Sequence, residues 1–511
     1  MPRKFYITTP IYYVNGSPHV GHVYTSIACD VTARFKRLDG YDVRFLTGTD
    51  EHGQKVEKAA ADAGVDPQTF TDRVSKEFRE VADLVGISYN DFIRTTEPRH
   101  KIGCAALWQR IAANGDIYLG HYEGWYAVRD EAYYGEDEIT TGPNGQKIAP
   151  TGAPVEWVRE PSYFFRLSAY QGKLLALYES QPDFVAPNAR RNEVLSFVRS
   201  GLRDLSISRS SFTWGVPVPD DPQHVMYVWL DALANYITAL GYPDTEAPNW
   251  HYWPADVHVV GKEIARFHAV IWPAMLMSAG VELPRRVYAH GWWTFDGEKM
   301  SKSLGNVIDP HAIVAAYGVD AFRFFVLREV PFGNDGDFSK RALVSRMNVE
   351  LANDLGNLAQ RSLSLIARNC DGRIPARGPQ TEDDVTLLAA AEALPQLVRE
   401  RIDRLAFGDA LEEIWKVVRQ SNGYIDRQAP WALRRTDPTR MGSVLRVLTD
   451  VLRIVATLLQ PFMPGSMAKM LDQLGVAADA RTIAALAHPF ATGTTLPAPA
   501  GVFPRYVEDA A

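Results

Sequence analysis

The stretch "KFYITTPIYYVNGSPHVGHVYTSIACDVTARFKRLDGYDVRFLTG", Lys4 to Gly48, decides the fold. Its opening, Lys4 to Tyr13, is rich in β-branched and aromatic residues and predicts a buried strand. "VNGSP", Val14 to Pro18, is a turn. From His19 onward apolar residues recur at helical spacing until Gly40, which predicts a helix closed by that glycine. "YDVRFLTG", Tyr41 to Gly48, predicts a second strand running into "TDEHGQK". Strand, helix, strand in this order opens a doubly wound α/β sheet of the nucleotide-binding, Rossmann type.

Outward from there, residues 70–114 read as helical. From Ile117 to Val225 the βα rhythm stops, and short aromatic-rich segments with turns such as "TGPNGQ" predict an insertion within the sheet domain. The rhythm returns with a strand in "ADVHVVG", a helix in "EIARFHAVIWPAMLMSAG" and a strand in "RRVYAHGWWTF". After Ser339 nearly everything is helical, apart from a loop between Asn369 and Asp384. The expected organisation is a first catalytic half over 1–116, a connective insertion over 117–225, a second half over 226–338, and an α-helical bundle with a tail over 339–511.

At 511 residues the chain holds more than one domain, and 46% hydrophobic with 23% charged residues is ordinary for cores of good size. The start "MPRKFYITTPIYY" has no apolar run of signal-peptide type, and no later run is long enough to span a bilayer. Three scattered cysteines, Cys29, Cys104 and Cys370, argue against a disulfide framework or a cysteine-rich zinc site and fit a reducing cytoplasm. A net charge of −7 gives no global attraction for nucleic acid, so any RNA contact must be local.

Two motifs carry chemistry. "PHVGH", Pro18 to His22, sets two histidines three residues apart at a helix start, where unpaired N–H groups and the dipole favour phosphate. Gly21 lets a ligand approach the backbone. "GEKMSKSLGN", Gly297 to Asn306, follows the aromatics Trp292, Trp293 and Phe295. Its Lys299 and Lys302 are flexible point charges suited to a polyphosphate, Ser301 and Ser303 add hydroxyls, and the glycines let the loop close and reopen. Alone, either motif fits a solvated turn. Together they follow two strands of one sheet, whose carboxyl ends share a crevice.

"PHVGH" resembles the HIGH signature and "KMSKS" matches the second signature of class I aminoacyl-tRNA synthetases. With "TTPIYYVNGSPHVGH", "TGTDEHGQK", "YVWLDALANY", "GKEIARFHAVIWPAML" and "HGWWTFDGEKMSKSLGN", the chain resembles the methionyl-tRNA synthetases from residue 5 to about 465. The resemblance implies ATP-driven attachment of methionine to a tRNA with a CAU anticodon, ATP being used with Mg2+. It implies catalytic roles for His19, His22, Lys299 and Lys302, and ATP contacts from these with Gly21, Lys262, Glu263, Met300, Ser301 and Ser303. Methionine would be lined by Ile11, Tyr13, Trp229, Ala232, Leu233, Tyr236, His268 and Trp272, with Asp50 at its ammonium group. Many relatives carry proline where Leu233 stands, so that wall is expected to differ.

The insertion is too short for the hydrolytic editing domain of the synthetases for leucine, isoleucine and valine. Many methionyl enzymes carry a zinc knuckle there. Here "YAVRDEAYY" puts Ala127 and Asp130 where ligands would be, so no zinc is expected, and a knuckle shape held by hydrogen bonds and packing is. Between Arg419 and Arg453 seven arginines face three acids, with Trp431 in their midst, a composition suited to phosphate and to an unpaired base. By resemblance Asn357, Arg361 and Trp431 read the anticodon. No appended dimerisation domain is recognised, so a monomer is expected. Two other readings stay open at this level: a ligase that passes the acyl group to a small amine, and a non-catalytic RNA-binding relative.

Overall fold

The computed structural model describes residues 2–14, 16–130, 132–142, 144–295, 298–299 and 308–507. Its centre is a parallel sheet of seven strands. From one edge the order is Val185–Ala186, Val287–His290, Val257–Gly261, Lys4–Thr8, then Asp42–Asp50, which pairs with both Tyr12–Tyr13 and Asp91–Arg94. Lys4 is in register with Asp42 and Thr8 with Leu46, while Ile7 faces Val257 on the other side. The α/β, Rossmann-type fold is therefore present.

The quoted stretch forms two strands, not one. Pro10 has no N–H to give a ladder, so pairing stops after Thr8 and resumes at Tyr12. This break turns Pro10 and Ile11 towards the crevice at the strand ends. The first helix, Val20–Leu38, begins at His19, whose Nδ1 accepts the Gly21 N–H at 3.1 Å. Lys36 and Arg37 in its last turn complement the dipole, and Gly40 leaves it with φ +83°. "RRVYAHGWWTF" is likewise divided at Gly291, where a Cβ would stand 2.2 Å from the Asn334 carbonyl oxygen. The second piece, Trp293–Phe295, joins a separate small sheet between Glu298–Lys299 and Gly336–Phe338.

Residues 70–114 hold a strand, Asp91–Arg94, between helices Pro67–Leu84 and Pro98–Ala113; four residues are too few to show a period. The stretch 117–225 builds an antiparallel sheet around the long pair Ile117–Ala127 and Glu156–Phe165. It is not wholly apart from the main sheet, since its Val185–Ala186 pairs in parallel with Val287 and Tyr288.

After Lys340 the chain is helical, with Glu382–Asp403, Phe407–Gln428, Pro438–Leu459 and Pro464–Gln473 packed about buried Trp415 and Leu448. One fully buried side chain joins this bundle to the sheet domain. Arg323 gives its guanidinium to Asp30 of the first helix at 2.6 Å and to the carbonyls of Val85, Pro461 and Phe462 at 2.8 to 3.0 Å. Each of the three guanidinium nitrogens donates and one bond goes to a carboxylate, the condition for a buried charge to be tolerated. Among the described residues no single helix is long and apolar enough to cross a membrane.

Candidate active site

The carboxyl ends of the central strands, the start of the first helix and the helix Val228–Thr238 enclose a cavity of about 440 Å³. It is lined by Ile11, Tyr13, His19, Gly21, His22, Asp50, Trp229, Ala232, Leu233, Tyr236, Glu263 and His268. One sequence-expected contact, Trp272, is not on this wall: it is wholly buried behind Tyr236, ring centroids 6.1 Å apart. Lys262 is also off the wall. It pairs with Asp335 at 2.6 Å, and its Nζ lies 4.2 Å from the Trp292 ring. Lys299 is in the strand Glu298–Lys299, while Met300, Ser301, Lys302 and Ser303 fall outside the described residues.

The polar end is the helix start. His19 and His22 rings stand 3.9 Å apart. His19 Nδ1 accepts from Gly21, and His22 Nδ1 accepts from the His19 N–H at 3.2 Å. Both Nδ1 atoms being acceptors, each neutral ring carries its proton on Nε2. A Cβ on Gly21 would lie 2.9 Å from the His19 ring. Glu263 accepts from Trp292 Nε1 at 2.5 Å, which fixes a carboxylate at the rim.

The apolar end is built from rings. Trp229 stacks on Phe267 at 3.6 Å, and Tyr236 stacks on His258 at 4.0 Å. His268 Nδ1 gives its proton to the Ile264 carbonyl at 2.9 Å, so its Nε2 accepts from the Tyr236 hydroxyl at 2.7 Å. Burial lowers the His268 pKa to about 4, keeping that ring neutral near pH 7. Asp50 ends its strand 7% exposed, at the mouth between the two ends.

Sequence reasoning missed Tyr12, Lys55, Asp130, His290 and Trp292 on this wall. The "HGWWTF" aromatics were visible, but only the break at Gly291 turns them inward. Nothing in the sequence placed Asp130, from the inserted region, at the cavity. Asp130 accepts from Arg129 Nε at 3.1 Å, from the Tyr134 hydroxyl at 2.9 Å and from Thr151. Ala127 packs with Ala149, Ala153 and Val155. Methyl groups and a hydrogen-bonded carboxylate do not fit a thiolate-bound zinc.

In the bundle, Arg361 Cζ lies 5.3 Å from the ring centre of Trp431, which is 47% exposed. Arg361 also pairs with Asp426 at 2.7 Å, and Asn357 starts the same helix, Asn357–Asn369. The basic stretch is mostly internal. Arg419 pairs with Glu412, Arg440 with Asp384 and Arg446 with Asp450, while Arg453 binds two carbonyls. Arg434 and Arg435, beside Trp431, have no carboxylate partner among the described residues.

A Rossmann-type sheet, a histidine-capped helix at its crevice and a helical bundle after it have the organisation expected of a class I aminoacyl-tRNA synthetase. Residues 5–363 match the family "tRNA synthetases class I (M)", and 374–511 match "Anticodon binding domain of methionyl tRNA ligase". The methionine–tRNA ligase of Mesorhizobium japonicum is 59% identical over 99% of this chain and 98% of its own length. That of Mycobacterium bovis is 54% identical over 99% and 98%. The structure of Mycobacterium tuberculosis methionyl-tRNA synthetase in complex with methionyl-adenylate superposes with a TM-score of 0.96 at 54% identity, covering 98% of this chain and 100% of that one. Its apo form gives 0.91 at 50% identity, covering 99% of each. The chain belongs to the methionyl-tRNA synthetase family.

Proposed function

We propose that the chain activates L-methionine with ATP and transfers it to the terminal adenosine of a tRNA, for initiation and elongation of translation. The observation that carries this is one cavity joining a phosphate-suited helix start to a ring-walled apolar end, with Asp50 between them. The methionine carboxylate attacks the α-phosphorus of ATP, which arrives with Mg2+. The bond to the pyrophosphate group breaks and methionyl adenylate stays bound. The 2′-hydroxyl of the tRNA end then attacks the acyl carbon and AMP leaves.

The chain supplies position and charge, not a covalent nucleophile. The Nε2 donors of His19 and His22 meet phosphate oxygens at the positive end of the helix, whose Gly21 and His22 N–H groups are already taken within the cap. Asp50 takes the ammonium group. Tyr13, Trp229 and Tyr236 hold the thioether, each sulfur–ring contact worth about 0.3–1.5 kcal/mol. Because the Tyr236 proton is given to His268, the ring face of Tyr236, not its O–H, meets the sulfur. Lys299 and Lys302 draw off charge building on the leaving pyrophosphate. Trp431, Arg361 and Asn357 take the CAU anticodon, and the enzyme works as a cytoplasmic monomer.

The test is amino-acid-dependent exchange of pyrophosphate into ATP. Exchange with methionine alone is expected, and Lys302→Ala loses about 2–4 kcal/mol of transition-state stabilisation with little change in methionine binding. Exchange driven by another amino acid would overturn the methionine assignment. Near-normal adenylation by Lys302→Ala would remove the loop from the chemistry.

A further inference from the structure

Behind the apolar wall lies a buried polar cluster that the reaction above does not use. Asp231 sits on the helix Val228–Thr238 with no exposed surface. One of its carboxylate oxygens is 2.6 Å from His52 Nδ1, and the other is 2.8 Å from His100 Nε2. His100 Nδ1 meets the Thr238 hydroxyl at 2.8 Å, and Cys104 Sγ lies 3.1 Å from His100 Nε2. The cluster thus ties three elements: the loop after the strand Asp42–Asp50, the pocket helix, and the helix Pro98–Ala113.

The connectivity points at the substrate. His52 is two residues beyond Asp50. Glu51 between them is wholly buried and held by Arg94 at 2.7 and 2.9 Å, so Asp50, Glu51 and His52 form one tethered segment, fixed at Glu51 by Arg94 and at His52 by Asp231. On the pocket helix, Asp231 is flanked by Trp229, Ala232 and Leu233, which face the cavity. An ionised carboxylate can accept from both imidazoles at once, on opposite sides. Asp231 also lies in the first turn of its helix, where negative charge is favoured.

We propose that Asp231 is a positioning residue for methionine, its carboxylate setting the distance between Asp50 and the Trp229–Leu233–Tyr236 wall through His52. The proposal rests on the reading of the cavity as the methionine site. His100, Cys104 and Asp231 also form the group that could hold a metal ion among the described residues. Their 2.8 and 3.1 Å separations are hydrogen-bond lengths, and the site is filled without an ion.

The test compares KM for methionine and for ATP in pyrophosphate exchange, with melting temperatures, for the wild-type chain, Asp231→Asn, His52→Gln and His52→Leu. Asp231→Asn keeps a partner for each imidazole, because His52 Nε2 has no partner to lose on changing tautomer. It removes the charge and turns one acceptor into a donor. It is expected to raise KM for methionine ~10-fold or more and leave KM for ATP within about two-fold, the signature of misplaced substrate groups. His52→Leu follows it, whereas His52→Gln, which keeps a donor towards Asp231, stays near wild type. A folded Asp231→Asn with unchanged KM for methionine overturns the proposal. So does an equal rise in both KM values with a fallen melting temperature, which marks a purely structural role. Should Asp231→Asn not fold, the His52 pair decides: equal loss in both overturns the proposal. Stoichiometric zinc in the purified protein, lost in Cys104→Ser, would replace the clamp with a metal site and overturn it. A wild-type chain without methionine-dependent exchange removes the functional reading itself.

Discussion

Replacing Trp431 with alanine separates the RNA-reading end from the activation chemistry. One face of the indole lies against Arg361, 5.3 Å from ring centre to Cζ, and the side chain is 47% exposed. The exposed part supports no core, so its loss leaves the bundle folded. On the proposed reading it removes a platform for an unpaired base, worth about 1–3 kcal/mol. That corresponds to a loss of about 5- to 150-fold in kcat/KM for tRNA charging. Trp431→Phe keeps a ring and recovers most of it. Methionine-dependent pyrophosphate exchange, which needs no RNA, stays at the wild-type rate in both variants. The assay is steady-state aminoacylation at several tRNA concentrations beside exchange on the same preparations. Charging by Trp431→Ala within about two-fold of wild type would show that no base stacks there. A parallel fall in exchange would show that Trp431 is structural.

Acid should weaken the sheet domain through His268. Its pKa is about 4 in the fold against 6.5 for the free side chain, because burial disfavours its charge. Between these values the unfolded chain binds a proton that the folded chain does not, so this stability is complete above pH 6.5 and about 3 kcal/mol is lost on descending to pH 4. Urea unfolding at pH 7 and pH 4.5 should show a steeper acid loss in the wild type than in His268→Gln; equal slopes would refute the assignment. Asp30→Asn strips the buried Arg323 of its counter-charge and should cost about 3–5 kcal/mol. A clear fall in melting temperature, partly restored in Asp30→Asn/Arg323→Met, is expected, and an unchanged melt would contradict it.

The sequence made the βαβ opening legible because hydrophobic period and cap residues are local signals. His19 at the helix start and Gly40 past its end can be read without knowing the fold. What stayed hidden depends on distant partners. Gly291 divides an apparent strand because of where the Asn334 backbone runs, whereas the break at Pro10 is a local one, a missing N–H inside an otherwise strand-like run. Trp272 looks like a pocket ring in sequence and is buried one layer behind. The arginines at 440, 446 and 453 look like an RNA face until their carboxylates and carbonyls are seen. Lys299 to Ser303, the motif most legible of all, gained no side-chain geometry. The Asp231 cluster escaped notice because His52, His100 and Asp231 lie in three separate segments, with nothing in their spacing to connect them.

The bond set of Arg323 has a further consequence. The first helix starts at the cavity, at His19, and is tied midway, at Asp30, through Arg323 to the Pro461 carbonyl of the bundle. Its last turn is pinned again, where buried Lys36 meets Asp403 at 2.5 Å. Nineteen residues of helix make a rod of about 28 Å. The cavity at one end of the rod and its contacts with the bundle along the rest are therefore held at a set span, as by the jaws of a caliper. Loosening either pin would let the bundle move relative to the cavity, so the spacing of the two parts is set by a few bonds along one helix.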